Sequence, residues 1–170
     1  MAKENTPIAW AVLPLSKYAQ FSGRSTRAEF WWFSSAYFVV GFLVDAIDMA
    51  MGSEIGLIGM VYGLGLFIPT ISVSVRRLHD TNRSGWWILV PVVPAVIFGF
   101  LTTAAKLDSV LDPSGTASTT AISTSMFVPL IAFLFACLIV TIFMILPGNK
   151  AANRFGSDPY SDDQFRQVTI

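Results

Sequence analysis

The residues of this sequence best equipped for chemistry are charged and fall in three short blocks. Arg24, Arg27 and Glu29 form the first, Arg76, Arg77, His79, Asp80 and Arg83 the second, and Arg154 and Asp158 the third. An arginine fork grips a carboxylate or a phosphate through two parallel hydrogen bonds, so such blocks suit either mutual pairing or holding an anion. Catalysis asks for more. His79 is the single histidine and Cys137 the single cysteine, which excludes an internal disulfide and a cysteine-rich zinc site. Without a second histidine or a nucleophile pattern beside His79, no catalytic, cofactor-binding or metal-ligating set emerges. The chain is expected not to be an enzyme and to need no cofactor. His79 is expected to hydrogen-bond within its own loop, and Cys137 to serve packing.

The elements that position these blocks are not those of an ordinary soluble domain. Of 170 residues, 54% are hydrophobic and 13% charged, against about 25% charged in typical globular domains. Mean hydropathy is +0.61. Four apolar stretches cover residues 30–51, 55–75, 86–105 and 126–146, each near the ~20 helical residues that cross a bilayer. The expected fold is all-α: a polytopic membrane protein with four transmembrane helices and a short N-terminal interfacial helix. Residues 1–28 form an N-terminal segment, with the interfacial helix in Ala11–Phe21; 29–147 hold the four spans; 148–170 are a tail. The first 29 residues never sustain an apolar core, so no cleavable signal is expected there and the first span is expected to double as the insertion signal.

The formal net charge is zero, which argues against a nucleic-acid partner bound by phosphate neutralisation. The zero hides a polarity. Ten of the 11 Lys and Arg lie before the first span, between the second and third, or after the fourth; only Lys106 lies in an opposite-side loop. The first set of segments carries +4 and the second −4. Because translocation of Lys and Arg is disfavoured, both termini are expected to be cytoplasmic.

Local signals refine this frame. Thr26-Arg27-Ala28-Glu29 fits a capping box that starts the first span. Gly52, Gly56, Gly59 and Gly63 recur at helical spacing, and such a face is expected to pack against another helix, within the chain or in a homo-oligomer. Thr70 and Ser74 extend it. Pro69, Pro91 and Pro94 are expected to kink their helices. Asp45 and Asp48 are the only acids inside an apolar run. They read either as an ion or proton site or as residues of the outer interface. Lys106–Ser125 holds nine Ser/Thr with Pro113 and Gly115, and is expected to be a flexible loop.

The three polar blocks then show a resemblance. Phe21-Ser-Gly-Arg-Ser-Thr-Arg-Ala-Glu-Phe-Trp-Trp32, Arg76-Arg-Leu-His-Asp-Thr-Asn-Arg-Ser-Gly-Trp-Trp87 and Pro147-Gly-Asn-Lys-Ala-Ala-Asn-Arg-Phe-Gly-Ser-Asp-Pro159 resemble the signature of the bacterial inner-membrane family called domain of unknown function 805. The third block departs from it, with Ala152 where the family has glycine. The resemblance implies a small multi-pass protein of the bacterial inner membrane and supplies no catalytic residues.

Two uses of the blocks follow. Glu29 would meet Arg76 or Arg77 in a rigid cytoplasmic cap, or the arginines would bind anionic lipid headgroups, at about 1 kcal/mol each. The leading expectation is a non-enzymatic membrane protein whose cap contacts lipid or a protein partner. A small-solute transporter or channel is the alternative, supported by Asp45, Asp48 and the glycine face.

Overall fold

The computed structural model describes the backbone of residues 6–53, 56–111 and 119–159, and the side chains of these except 108–111 and 119–125. Five α-helices follow one another: α1 Pro7–Ser16, α2 Arg27–Ala50, α3 Leu57–Asp80, α4 Val92–Leu111 and α5 Thr119–Ile145, with a 3-10 turn at Gly85–Leu89. The only β feature among the described residues is an isolated bridge between Asn153 and Gly156. The chain is all-helical, and four of its helical segments are long and apolar enough to cross a membrane.

Burial runs opposite to that of a soluble protein. Val73 and Leu78 are buried, but so are Arg24, Ser25, Thr26, Glu29, Asp48, Ser72, Arg76, Arg77 and Asp80. Phe38, Phe42, Leu64 and Phe67 lie exposed. Apolar outward faces with polar groups gathered inside suit a lipid environment, where polar groups must find partners within the protein.

The chain divides into two compact units. One comprises residues 1–85 with 144–170, the other Trp86–Phe143. In the first, α1 packs on α2 and α3. Thr6 caps α1, its hydroxyl accepting from the Ala9 amide at 3.3 Å, and Pro7 occupies the first turn, where its missing N–H costs nothing. The helix therefore begins four residues earlier than Ala11, and Tyr18 and Phe21 lie beyond it. The Tyr18 hydroxyl donates to the Gly65 carbonyl of α3 at 2.6 Å. That carbonyl is the one Pro69, four residues on, cannot serve. The Ser72 hydroxyl donates to the Gln20 carbonyl at 2.7 Å, so the segment after α1 is stitched to α3.

The connection from α2 to α3 corrects the reading of the glycines. Gly52 has φ +67°; its amide donates to Met49 O and that of Ser53 to Asp48 O. These two bonds make a Schellman ending that wants glycine in the left-handed region. Gly56, φ +63°, is the N-cap of α3. Only Gly59 and Gly63 of the four are helical, so they do not form one face with Gly52 and Gly56. Thr70 and Ser74 donate to the Leu66 and Thr70 carbonyls, each at 2.7 Å, bonding back to their own helix.

In the second unit, Pro91 precedes α4 and Pro94 lies in its first turn, positions a helix tolerates without a kink. The Trp87 and Phe143 rings meet edge to face with centroids 5.2 Å apart. Helix α4 continues through Lys106 to Leu111 and α5 starts at Thr119. Much of the stretch expected as a loop is thus helical, and 112–118 lie outside the described residues. Threonines at a helix surface can back-bond, as Thr102 and Thr103 do to the Gly99 carbonyl at 2.9 and 2.8 Å, and so need not break it.

Candidate functional site: the arginine–aspartate cap

The polar blocks meet at one end of α2 and α3. Thr26 accepts from the Glu29 amide at 3.1 Å, one half of the expected capping box and enough to fix the start of α2. The Glu29 carboxylate turns to Arg76, whose Nη1 lies 2.6 Å from Oε1. The Arg76 carbonyl accepts from the Ser25 amide at 3.0 Å. Of the two arginines expected to meet Glu29, it is Arg76.

Asp80 is the hub. Its Oδ1 accepts from Arg24 Nε at 2.9 Å and its Oδ2 pairs with Arg77 Nη1. Arg77 and Asp80 are 0% exposed and Arg76 is 1%. Two guanidiniums on one carboxylate leave a positive charge, and backbone oxygens absorb it. Arg77 donates from Nε to Met144 O at 3.0 Å and from Nη2 to Leu146 O. Arg24 donates from Nη1 to Ala151 O at 2.8 Å and from Nη2 to Asn149 O. The Met144 carbonyl belongs to the last turn of α5, whose carbonyls lack intrahelical donors and form the negative pole of the helix. Arg77 therefore caps α5 while neutralising Asp80. Arg76 keeps two buried nitrogens, Nε and Nη2, with no hydrogen-bond partner among the described residues.

The glycine of the Pro147-Gly148-Asn149 turn follows from this hub. A Cβ on Gly148 would run into the Asp80 carboxylate, and the Asn149 amide donates to the Asp80 carbonyl at 3.0 Å. Only a residue without a side chain lets the tail cross so closely. Gly85 is similar: a Cβ there would lie 2.7 Å from Val75 Cγ1.

A second cluster clasps the tail to the end of α3. That helix closes with Asn82 at φ +58°, the Asn82 and Arg83 amides donating to His79 O and Leu78 O, each at 2.9 Å; asparagine here does what Gly52 does for α2. His79 Nδ1 lies 3.2 Å from Gly23 O, and its ring stacks on Phe155 at 3.8 Å and 4°. Arg154 covers the other partner, its guanidinium carbon 4.7 Å from the Phe155 centroid. Asn153 Nδ2 donates to His79 O at 2.9 Å. Asn153 and Gly156 exchange backbone bonds at 3.0 Å. The tail motif is thus a tight turn that presents Phe155 to His79.

Of the residues singled out from the sequence, Arg24, Glu29, Arg76, Arg77 and Asp80 come together in the buried network. His79 and Arg154 join the clasp, and the His79 ring bonds to Gly23 before α2 rather than within its own loop. Arg83 donates to the Thr81 carbonyl at 3.3 Å, Arg27 is exposed and Asp158 half-buried; these three stand outside the Asp80 hub. Sequence reasoning missed Phe155 and the backbone carbonyls. No cluster of three or more His, Cys, Asp or Glu able to hold a metal ion is present among the described residues.

At the opposite end of the hairpin, Asp48 and Asp45 part company. The Asp48 oxygens accept from the Ile58 and Gly59 amides at 3.3 and 2.7 Å, capping α3 from outside, since Gly56 has no side chain to do so. Asp45 shows no such bond among the described residues.

Comparison with known proteins agrees with the motifs. The profile of the family described as "Protein of unknown function (DUF805)" matches residues 18–157. The chain belongs to this family. It is 29% identical over 150 residues to the Inner membrane protein YhaI of Escherichia coli K12, covering 88% of this chain and 94% of that protein. It is 34% identical over 91 residues to the Inner membrane protein YhaH of the same strain, covering 51% of this chain and 75% of that protein. No solved structure matches the chain. The matched family region contains all five members of the buried network. These relatives are inner-membrane proteins, and this chain carries four candidate spans.

Proposed function

We propose that the protein is a non-enzymatic, multi-pass component of the bacterial inner membrane with both termini cytoplasmic. Its arginine–aspartate network is a structural cap. By holding the inner ends of α2 and α3 and the tail in one arrangement, the cap presents a basic, aromatic face to anionic lipid headgroups. The observation that carries this reading is the burial of Arg24, Arg76, Arg77 and Asp80 with their partners inside the chain. Guanidiniums so enclosed are out of reach of a headgroup, and headgroup contact passes to other residues. Arg27, Lys150 and Arg154 are exposed, as are Trp31 and Trp32, whose rings suit the headgroup layer. The meeting of the segments before α2, after α3 and after α5 supports a common side for the termini, and the +4 charge of those segments supports the cytoplasmic side.

The experiment is lipid retention. Wild type purified in mild detergent from membranes containing phosphatidylglycerol retains that lipid. The triple variant Arg27→Gln, Lys150→Gln, Arg154→Gln retains much less, since each exposed cation near an anionic leaflet contributes about 1 kcal/mol. Equal retention by both removes the headgroup role. Solute transport, the second class the composition admits, is weakened by the use of Asp48 as a helix cap, which leaves Asp45 as the acid in a position to serve it.

A further inference from the structure

Between α2 and α3, away from the cap, lies a cavity of about 470 Å³ lined by Tyr37, Phe38, Gly41, Phe42 and Asp45 of α2 and by Gly59, Tyr62 and Gly63 of α3. Four of these eight residues are aromatic. The Tyr37 and Tyr62 rings stack with centroids 5.4 Å apart, and the Tyr62 hydroxyl donates to the Tyr37 carbonyl at 2.8 Å, which holds that end in shape. The glycines open it: a Cβ on Gly41 would press on Tyr62 at 3.4 Å, and one on Gly59 would lie 2.9 Å from Asp45 Oδ1.

Asp45 is the one charge in this lining, and its carboxylate has no hydrogen bond or ion pair among the described residues. Asp48, three residues on, spends both oxygens on α3 amides. By helical rise Asp45 lies roughly 27 Å from Arg27, close to the ~30 Å thickness of the hydrocarbon. Tyr37 lies about 12 Å deeper along α2. The groove thus runs from a carboxylate at headgroup depth into the apolar layer between aromatic rings.

A carboxylate at the edge of hydrocarbon calls for a counter-charge. Aromatic side chains line the same groove, and an aromatic face favours an organic cation through its quadrupole. A hard metal ion would want several oxygen ligands, and one carboxylate with aromatic walls does not offer them. We propose that this groove binds a membrane lipid whose headgroup carries a primary ammonium, the ammonium on Asp45 and the start of an acyl chain along Phe42, Phe38 and Tyr37. This site is independent of the cap and of the anionic lipid assigned to it.

Two measurements test it. In native mass spectrometry from mild detergent with added phosphatidylethanolamine, Asp45→Asn retains that lipid about fivefold less than wild type, the loss of an interfacial ion pair. Equal retention overturns the site. The second uses wild type alone, in phosphatidylethanolamine vesicles treated with a carbodiimide, which joins a carboxylate to an amine in contact with it. The account expects a lipid amide on the peptide carrying Asp45 and none on Asp48; absence of the Asp45 adduct overturns the proposal, whatever the anionic-lipid experiment shows.

Discussion

The two ends of the α2–α3 hairpin handle charge in opposite ways. At the cap end, Arg24 and Arg77 converge on Asp80 and are completed by backbone carbonyls, with the three charged side chains closed to solvent. At the other end, Asp48 is absorbed by two backbone amides while Asp45 faces a groove. The cap end is the more demanding design. A buried ion pair is not a net gain over apolar packing, but removing one partner leaves an uncompensated charge and costs about 3–5 kcal/mol. The network therefore fixes one arrangement of helix ends and tail more than it adds stability, whereas a lone carboxylate at an interface is available to something outside the chain.

This contrast can be broken in steps. The largest effect belongs to Asp80→Asn, which keeps the shape and leaves two buried guanidiniums facing a neutral amide. It should destabilise the protein by about 3–5 kcal/mol in denaturant unfolding from micelles; a loss under 1 kcal/mol would mean that the carbonyls alone satisfy both arginines. Next comes Asp48→Ala, which removes the cap of α3 and should cost about 1–2 kcal/mol by the same measurement. Asp45→Asn, one turn away, should leave unfolding unchanged, and a matching loss there would erase the distinction between the two acids. The smallest is Tyr18→Phe, which strips the donor from the Gly65 carbonyl and should cost about 0.6 kcal/mol, the usual value of a side-chain hydrogen bond in a membrane protein.

The sequence made some of this visible. Charge-free runs marked the last three spans and a run broken only by Asp45 and Asp48 the first, because hydrocarbon tolerates little else. Spacing brought Glu29 to the foot of α3, and Arg76 took it. The backbone partners of Arg77 left no trace, since every residue carries a carbonyl and the two that matter are in the last turn of α5 and just after it. The glycine spacing misled for a related reason: a repeat of three and four residues looks helical whether or not the chain turns there, and Gly52 and Gly56 are needed for positive φ. Two signals were legible and unused. Pro69 announces an unserved carbonyl at Gly65, which calls for a donor such as Tyr18. An acid just before a turn that ends on glycine can reach the next helix's amides, as Asp48 does.

The central claim is that Arg24 and Asp80, 56 residues apart in sequence, act as one unit in holding the cap. A double-mutant cycle of Arg24→Gln and Asp80→Asn, read by unfolding in micelles, measures it directly. The account predicts a coupling energy of about 2–3 kcal/mol, the upper range for residues sharing a buried network. Additive effects, with coupling near zero, would contradict it.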